Sequence, residues 1–249
     1  SELKQLVDRA KLFDQAHYYY VFLTLFVLGL LGTSLTLLLL VNSLWLHLIS
    51  AVFLAFVYQQ IALIGHDTGH RQIPLSSRKS ETIGLVVVLL LGLGRSWWVR
   101  MHNLHHSHPN QEAWDPAFDV PLLAFTKEQT LRRRGVFGII VRYQAYLLIP
   151  MTLLEGFGLY LASTQFLFRG RLRYPRLEPF LIVSHLVLYF GLLLLVMSVW
   201  QAALFTFVHH AFFGLFMAST FAPNHKGMPS LAKEERMECL RQQVITTRN

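Results

Sequence analysis

An all-α, polytopic membrane fold is predicted, with four transmembrane helices in two hairpins, additional in-plane helices and a histidine-box metal site on the cytoplasmic side. Three observations carry this. The 249 residues are 53% hydrophobic and only 14% charged, with a mean hydropathy of +0.42, too apolar for a soluble domain of this size. Two long stretches, Gln15 to His66 (52 residues) and Pro179 to His225 (47 residues), contain no Asp, Glu, Lys or Arg. The histidines gather outside such apolar segments, in GHDTGH at 65–70 and MHNLHHSHPN at 101–110, the latter holding four of the chain's twelve.

Residues 1–14 mix Glu2, Lys4, Asp8, Arg9, Lys11 and Asp14 with Leu3, Leu6, Leu12 and Phe13, the pattern of an amphipathic lead-in on the membrane surface. His17 and Tyr18 to Tyr20 follow as an interfacial aromatic belt. No short apolar core with a small-residue cleavage site is present, so the first apolar segment is expected to stay as an anchor. The first charge-free run is more than twice the roughly 20 residues that one crossing takes. It therefore predicts a hairpin, 18–41 and 44–65, turning at Asn42-Ser43. A basic loop with Arg71, Arg78 and Lys79 leads to 13 uncharged residues, 82–94, too short to span and so re-entrant or in-plane. Both histidine stretches then face one compartment. The region 136–168 contains Glu155 and is expected to break at Pro150, Gly156 and Gly158. The second charge-free run predicts a hairpin of 179–199 and 201–222.

Parity decides how 136–168 is used. If it does not cross, every basic cluster (4–11, 71–79, 95–100, 132–134, 169–176) falls on one side, and the hairpin turns Asn42-Ser43 and Trp200-Gln201 carry no charge. That satisfies the positive-inside rule with four spans, both termini and the histidines being cytoplasmic. The formal charge of +8 is explained by the same rule, and no aromatic-interleaved basic domain points to nucleic acid. The single cysteine, Cys239, excludes an internal disulfide and thiolate zinc sites.

On helices, His66 and His70 are an i, i+4 pair, and His102, His105 and His106 form an i, i+3, i+4 trio. Neutral imidazole suits iron, zinc, copper and nickel, and a helix face with two or three rings is half of a metal site. The second hairpin brings His225 to the same side, either as a sixth ligand or as a helix-end histidine compensating terminal carbonyls. Asn224 beside it is a further candidate for the metal or an intervening water. Asp67, next to His66, is the candidate catalytic-site carboxylate, accepting a hydrogen bond from a ligand's other ring nitrogen. Asp115 and Asp119 are candidates for the same role or are surface carboxylates. His108 lies off the trio's face, where Pro109 ends the helix. His47 sits more than about 25 Å from His66, and His209 and His210 roughly 22 to 24 Å from His225, along their helices. They are excluded as ligands. The latter pair either closes a substrate tunnel or hydrogen-bonds between helices, and His185 reads as structural or as a support for ligands.

GHDTGH and HNLHH resemble the first two histidine boxes, HxxxH and HxxHH, of the membrane-bound fatty acid desaturase and hydroxylase superfamily. FAPNHKGMP at 221–229 is similar to the histidine segment after the last spanning helix of its bacterial acyl desaturases. The resemblance covers most of the chain, including box spacing and both hairpins. It implies a non-haem diiron centre, O2 as co-substrate, and His66, His70, His102, His105, His106 and His225 as ligands. The implied reaction introduces a double bond into a fatty acyl chain carried as acyl-CoA or acyl-lipid. The family also has a third box, HxxHH or QxxHH, toward the C-terminus. No histidine follows His225, and RQQVITTRN at 241–249 looks like that box's lead-in. Residues 1–249 are thus expected to be one membrane-embedded desaturase-like domain, C-terminally incomplete.

Removing hydrogen from an unactivated methylene needs a strong oxidant made at iron from O2 and two electrons, with the acyl chain held in an apolar tunnel. Residues 82–94 and the Glu155 segment are its expected walls. Without a glycine-rich dinucleotide motif or a haem-attachment motif, electrons are expected from a separate ferredoxin or a b-type cytochrome with its reductase. A basic face suits an acidic donor, although positive-inside bias alone gives the same charges. The nearest rival is a hydroxylase of an alkane, sterol or carotenoid with the same metal site. A more distant one is a histidine-lined metal transporter or receptor, which would want polar residues along the membrane path.

Overall fold

The computed structural model describes residues 2–10, 16–73, 75–118, 120, 122–225 and 227–248. Among them the one β-type pairing is an isolated bridge between Gln111 and Leu231. The helices are α1 (Glu2–Arg9), α2 (His17–Leu40), α3 (Leu44–Gly69), α4 (Ser77–Leu91), α5 (Arg95–Ser107), α6 (Lys127–Arg132), α7 (Gly135–Arg142), α8 (Gln144–Arg169), α9 (Leu177–Val196), α10 (Val199–His225) and α11 (Cys239–Thr246).

Both charge-free runs fold as hairpins, α2–α3 and α9–α10. The second turn falls at Met197-Ser198, slightly before the expected Trp200-Gln201. Ser198 explains the shift: its N–H and its hydroxyl both donate to Gln201 Oε1 at 2.9 Å, so the Gln201 side chain reaches back to cap the start of α10 at Val199. The outward faces of these helices remain apolar, with Phe22 68% and Leu195 80% exposed, as lipid-facing surface requires.

The core lies where α10 packs against α3 and α8. Val57, Phe205 and Phe213 are buried there. The α8–α10 crossing is close: a Cβ on Gly214 would stand 2.3 Å from Gly156 N, and one on Gly156 would stand 2.1 Å from His210 O. Small residues let helix backbones approach in this way, which matters in lipid because dispersion contacts replace the hydrophobic effect between helices. Of the two glycines expected to break 136–168, Gly156 therefore serves packing instead, while Gly158 has nothing within 4 Å of where a Cβ would stand. Helix α8 runs unbroken from Gln144 to Arg169 with Pro150 inside it, a correction to the expected break. Gly214→Val is expected to cost at least about 2 kcal/mol, since backbone and not a flexible side chain must yield. A lower thermal midpoint of the detergent-solubilised protein checks this.

Five described helices are long and apolar enough to cross a membrane: α2, α3, α8, α9 and α10. The short segment at 82–94 behaves differently. It ends α4 at a left-handed cap, Gly92 (φ 71°), and α5 leaves at 111° to α4. Neighbours hold the bend. Tyr160 OH donates to Leu91 O at 2.6 Å, Gly94 N donates to Ser163 Oγ at 2.8 Å, and His185 Nδ1 donates to Leu89 O at 3.0 Å. Fully buried Glu178 accepts from Ser96 N at 3.0 Å and from the Ser96 hydroxyl, placing a carboxylate at the positive N-terminal end of α5.

Candidate metal centre

The end of α3 and the length of α5 meet because Gly69 leaves room for the Trp98 ring, which would lie 2.5 Å from a Cβ at that position. This contact brings the first two boxes together. One ring nitrogen from each of His66, His70, His102 and His106 lies within 4.8 Å of the others. His70 Nε2 and His102 Nε2 are 2.7 Å apart, and Trp98 stacks on His102 at 4.5 Å between centroids. The i, i+4 spacings put His66 with His70 and His102 with His106 in this group, whereas His105, expected on one face with His102 and His106, falls outside it.

His105 points to a second grouping. Its Nε2 is 3.1 Å from His225 Nε2, so the end of α10 does come to the boxes. Its Nδ1 donates to Asp115 at 2.9 and 3.0 Å. Asp115 is only 2% exposed and also accepts from Asn110 N and Ala117 N, both at 2.9 Å. A carboxylate held by two amides fixes the tautomer of His105, leaving Nε2 with its lone pair. Asp67 has the corresponding place at His66, whose Nδ1 donates to it at 3.1 Å. Tyr20 OH, from the aromatic belt on α2, donates to the other Asp67 oxygen at 3.1 Å.

The loop after the second box is stitched to the chain's last described segment. Asn110, in a left-handed conformation (φ 55°), donates from its side-chain amide to His225 O at 3.0 Å and Thr246 O at 3.2 Å. Gln111 donates to Glu235 O at 2.9 Å, and Gln243 donates to His106 O. Sequence reasoning missed Asn110, Gln111, Trp98 and Tyr20. Trp98 had a usable signal, since it precedes His102 by one helical turn. Asn110 had none, because its partners lie more than a hundred residues away.

The remaining sequence candidates fall elsewhere. His47, at the α2–α3 turn, donates to Val41 O at 3.1 Å. His108 stacks on Trp114 at 5.3 Å. Asn224 is exposed and its carbonyl accepts from Arg248 N at 2.8 Å. His209 is buried in the bundle and hydrogen-bonds Tyr189 OH through Nδ1 at 2.8 Å, and His210 donates to Thr206 O at 2.9 Å. Glu155 is exposed on α8. Asp119 lies outside the described residues.

Three of the four rings, His70, His102 and His106, are shifted toward the neutral form that metal binding needs. Burial, then the neighbouring His66, His106 and His70 rings, push His102 down to about 2. Burial and the adjacent His70 and His105 rings push His106 down to about 4, and burial with His66 lowers His70. Neutral rings with converging lone pairs fit a borderline transition metal such as iron, whereas calcium or magnesium would want oxygen ligands.

The chain matches known proteins over the same ground. The family model described as fatty acid desaturase matches residues 43–249. A Delta 8-(E)-sphingolipid desaturase of Emericella nidulans is 30% identical over 136 residues, 49% of this chain and 25% of that protein. A Delta(8)-fatty-acid desaturase of Helianthus annuus is 27% identical over 66% of this chain and 38% of its own length. An Acyl-lipid (9-3)-desaturase of Physcomitrium patens is 24% identical over the whole of this chain and 49% of its own. The chain thus spans about half the length, or less, of these curated relatives. With the family's profile covering both boxes, the α4–α5 bend that positions them and the helix that delivers His225, the chain belongs to the fatty acid desaturase family.

Proposed function

We propose that His66, His70, His102, His105, His106 and His225 hold a non-haem diiron centre that uses O2 to desaturate a fatty acyl chain, carried on a lipid or on coenzyme A. The observation that carries the reading is the convergence of four ring nitrogens within 4.8 Å. Bound iron would supply the oxidising power drawn from O2 and two electrons. The chain's residues supply the rest. Asp115 and Asp67 hold His105 and His66 with Nδ1 protonated, Trp98 restrains the His102 ring, and the apolar helix faces exclude water from the acyl chain. Electrons come from a separate ferredoxin or b-type cytochrome at the basic face. Gas chromatography with mass spectrometry of lipids from cells expressing the whole gene, with a donor system supplied, is expected to show a new double bond. Hydroxylated acyl chains without any alkene would overturn this in favour of a hydroxylase.

The proposal includes four crossings, α2, α3, α9 and α10, with the histidines and both termini cytoplasmic. Support comes from the two ends of α8, which both attach to elements on the histidine side. Gln144 exchanges hydrogen bonds with Ala124 N and O at 2.9 Å. Just beyond the other end, Arg173 N donates to Ser96 Oγ at 2.8 Å. The exposed Glu155 midway would be costly against the bilayer centre. In a Cys239→Ser background, single cysteines at Asn42 and Trp200 are expected to label from the side opposite cysteines at Lys79 and Arg171. Labelling of the Arg171 position from the outer side would refute the four-crossing arrangement.

A further inference from the structure

A second cavity-forming cluster lies outside the histidine site, where α3 ends, α4 begins and the chain approaches α9. It encloses about 360 Å³ and is lined by Arg71, Arg78 and Arg173 with Ser77, Thr82 and Tyr174. Its acidic member, Glu81, is engaged: Glu81 Oε1 accepts from Arg95 at 3.3 Å and from Arg173 at 3.2 Å. Arg71 and Arg78 have no ion pair among the described residues, so the lining keeps a surplus of positive charge. The Thr82 and Tyr174 hydroxyls donate within the protein, to Arg78 O at 3.0 Å and Glu81 Oε2 at 3.5 Å, and the Ser77 hydroxyl is the one that adds a hydrogen-bond donor to the lining. Surplus guanidinium charge with a serine hydroxyl beside it in a concave site is the recognition chemistry of phosphate.

Its level in the fold narrows the source of that phosphate. Gln72, next to Arg71, accepts from Tyr20 OH at 3.2 Å, which sets the cavity at the height of the Tyr18 to Tyr20 belt, where tyrosines mark the headgroup region. Leu85 closes the cavity on its apolar side. Val86 on α4 and Phe180 on α9 are 48% and 65% exposed, so both helices that flank the cavity also present apolar side chains outward. Basic pockets between membrane helices at this depth take lipid phosphates.

We propose that this cavity binds a phosphate group, that of an anionic glycerophospholipid, as a site separate from the histidines. The proposal does not depend on the identity of the metal or on the reaction. The test uses the purified whole protein, native mass spectrometry, and equal amounts of phosphatidic acid, phosphatidylglycerol and phosphatidylcholine, with inorganic pyrophosphate in a parallel arm. Arg78→Gln, Arg173→Gln and the double variant are compared with Arg134→Gln, an exposed arginine elsewhere. Because Arg173 also pairs with Glu81, Arg78→Gln serves as the variant whose folding is least at risk, and thermal midpoints are recorded for all. Retention of anionic over zwitterionic lipid is expected, falling about fivefold per arginine removed and unchanged in Arg134→Gln. Pyrophosphate binding lost in the same variants, with no lipid retained, would keep the phosphate site but overturn the lipid as its source. Retention of both probes at wild-type levels in the folded double variant would overturn the site altogether.

Discussion

Replacing His70 or His106 by alanine is expected to lower desaturation by the whole gene's product at least about a hundredfold, with the protein still inserted and folded. Each change removes one of four ring nitrogens that meet within 4.8 Å, and neither ring carries other visible structure: His106 is exposed and His70 touches mainly the other rings. His47→Ala is the control. That ring is buried at the distant α2–α3 turn, so its loss should leave turnover within about threefold while lowering stability, since a carbonyl loses its donor. Lipid analysis of cells expressing each variant, with protein amounts measured in the membrane fraction, reads the difference. Full activity in both His70→Ala and His106→Ala would remove the ligand assignment.

Asp115→Ala is expected to weaken metal retention about ten- to hundredfold, although the residue lies outside both boxes. The buried carboxylate orients His105 and accepts two backbone amides. Its loss frees the imidazole to rotate or change tautomer and leaves Asn110 N and Ala117 N without their acceptor. Asp115→Asn separates these effects. Its amide oxygen can still accept from one backbone amide, while the charge that favours the Nδ1-protonated ring is gone. The asparagine variant should therefore recover most of the thermal stability and only part of the metal affinity, both read by melting and by metal titration of the purified protein. Recovery of both in full would show that Asp115 acts on the fold alone.

Much of this was legible in the sequence because it follows from periodicity and from the cost of charge in lipid. The absence of Asp, Glu, Lys and Arg over 52 and 47 residues leaves hairpins as the solution, and the i, i+3 and i, i+4 histidines place themselves on helix faces. The thirteen apolar residues at 82–94, expected to be too few to cross, end in a bend of 111° between α4 and α5. What escaped was long-range. The exception is local: the Ser198-Gln201 cap was readable but weaker than the hydropathy signal around it. Pro150, Gly156 and Gly158 looked like breakers because local propensity says so, yet Gly156 is used for contact with His210 and Gly214, partners that only the packed bundle reveals. Likewise Asn110 and Asp115 gain their meaning from His225, Thr246 and His105, brought near by tertiary structure.

Iron stoichiometry combined with 57Fe Mössbauer spectroscopy on the whole gene's product tests the diiron assignment most directly. Spectroscopy is needed beside the metal count because zinc outcompetes ferrous iron at imidazole ligands and can fill such sites during overexpression. Protein reconstituted with 57Fe without oxygen is expected to hold about two irons per chain as an interacting pair. The variant with His66, His70, His102 and His106 all changed to alanine should lose at least one of them while remaining folded. An undiminished iron pair in that folded variant, or a fully active protein with a single iron, would contradict the assignment.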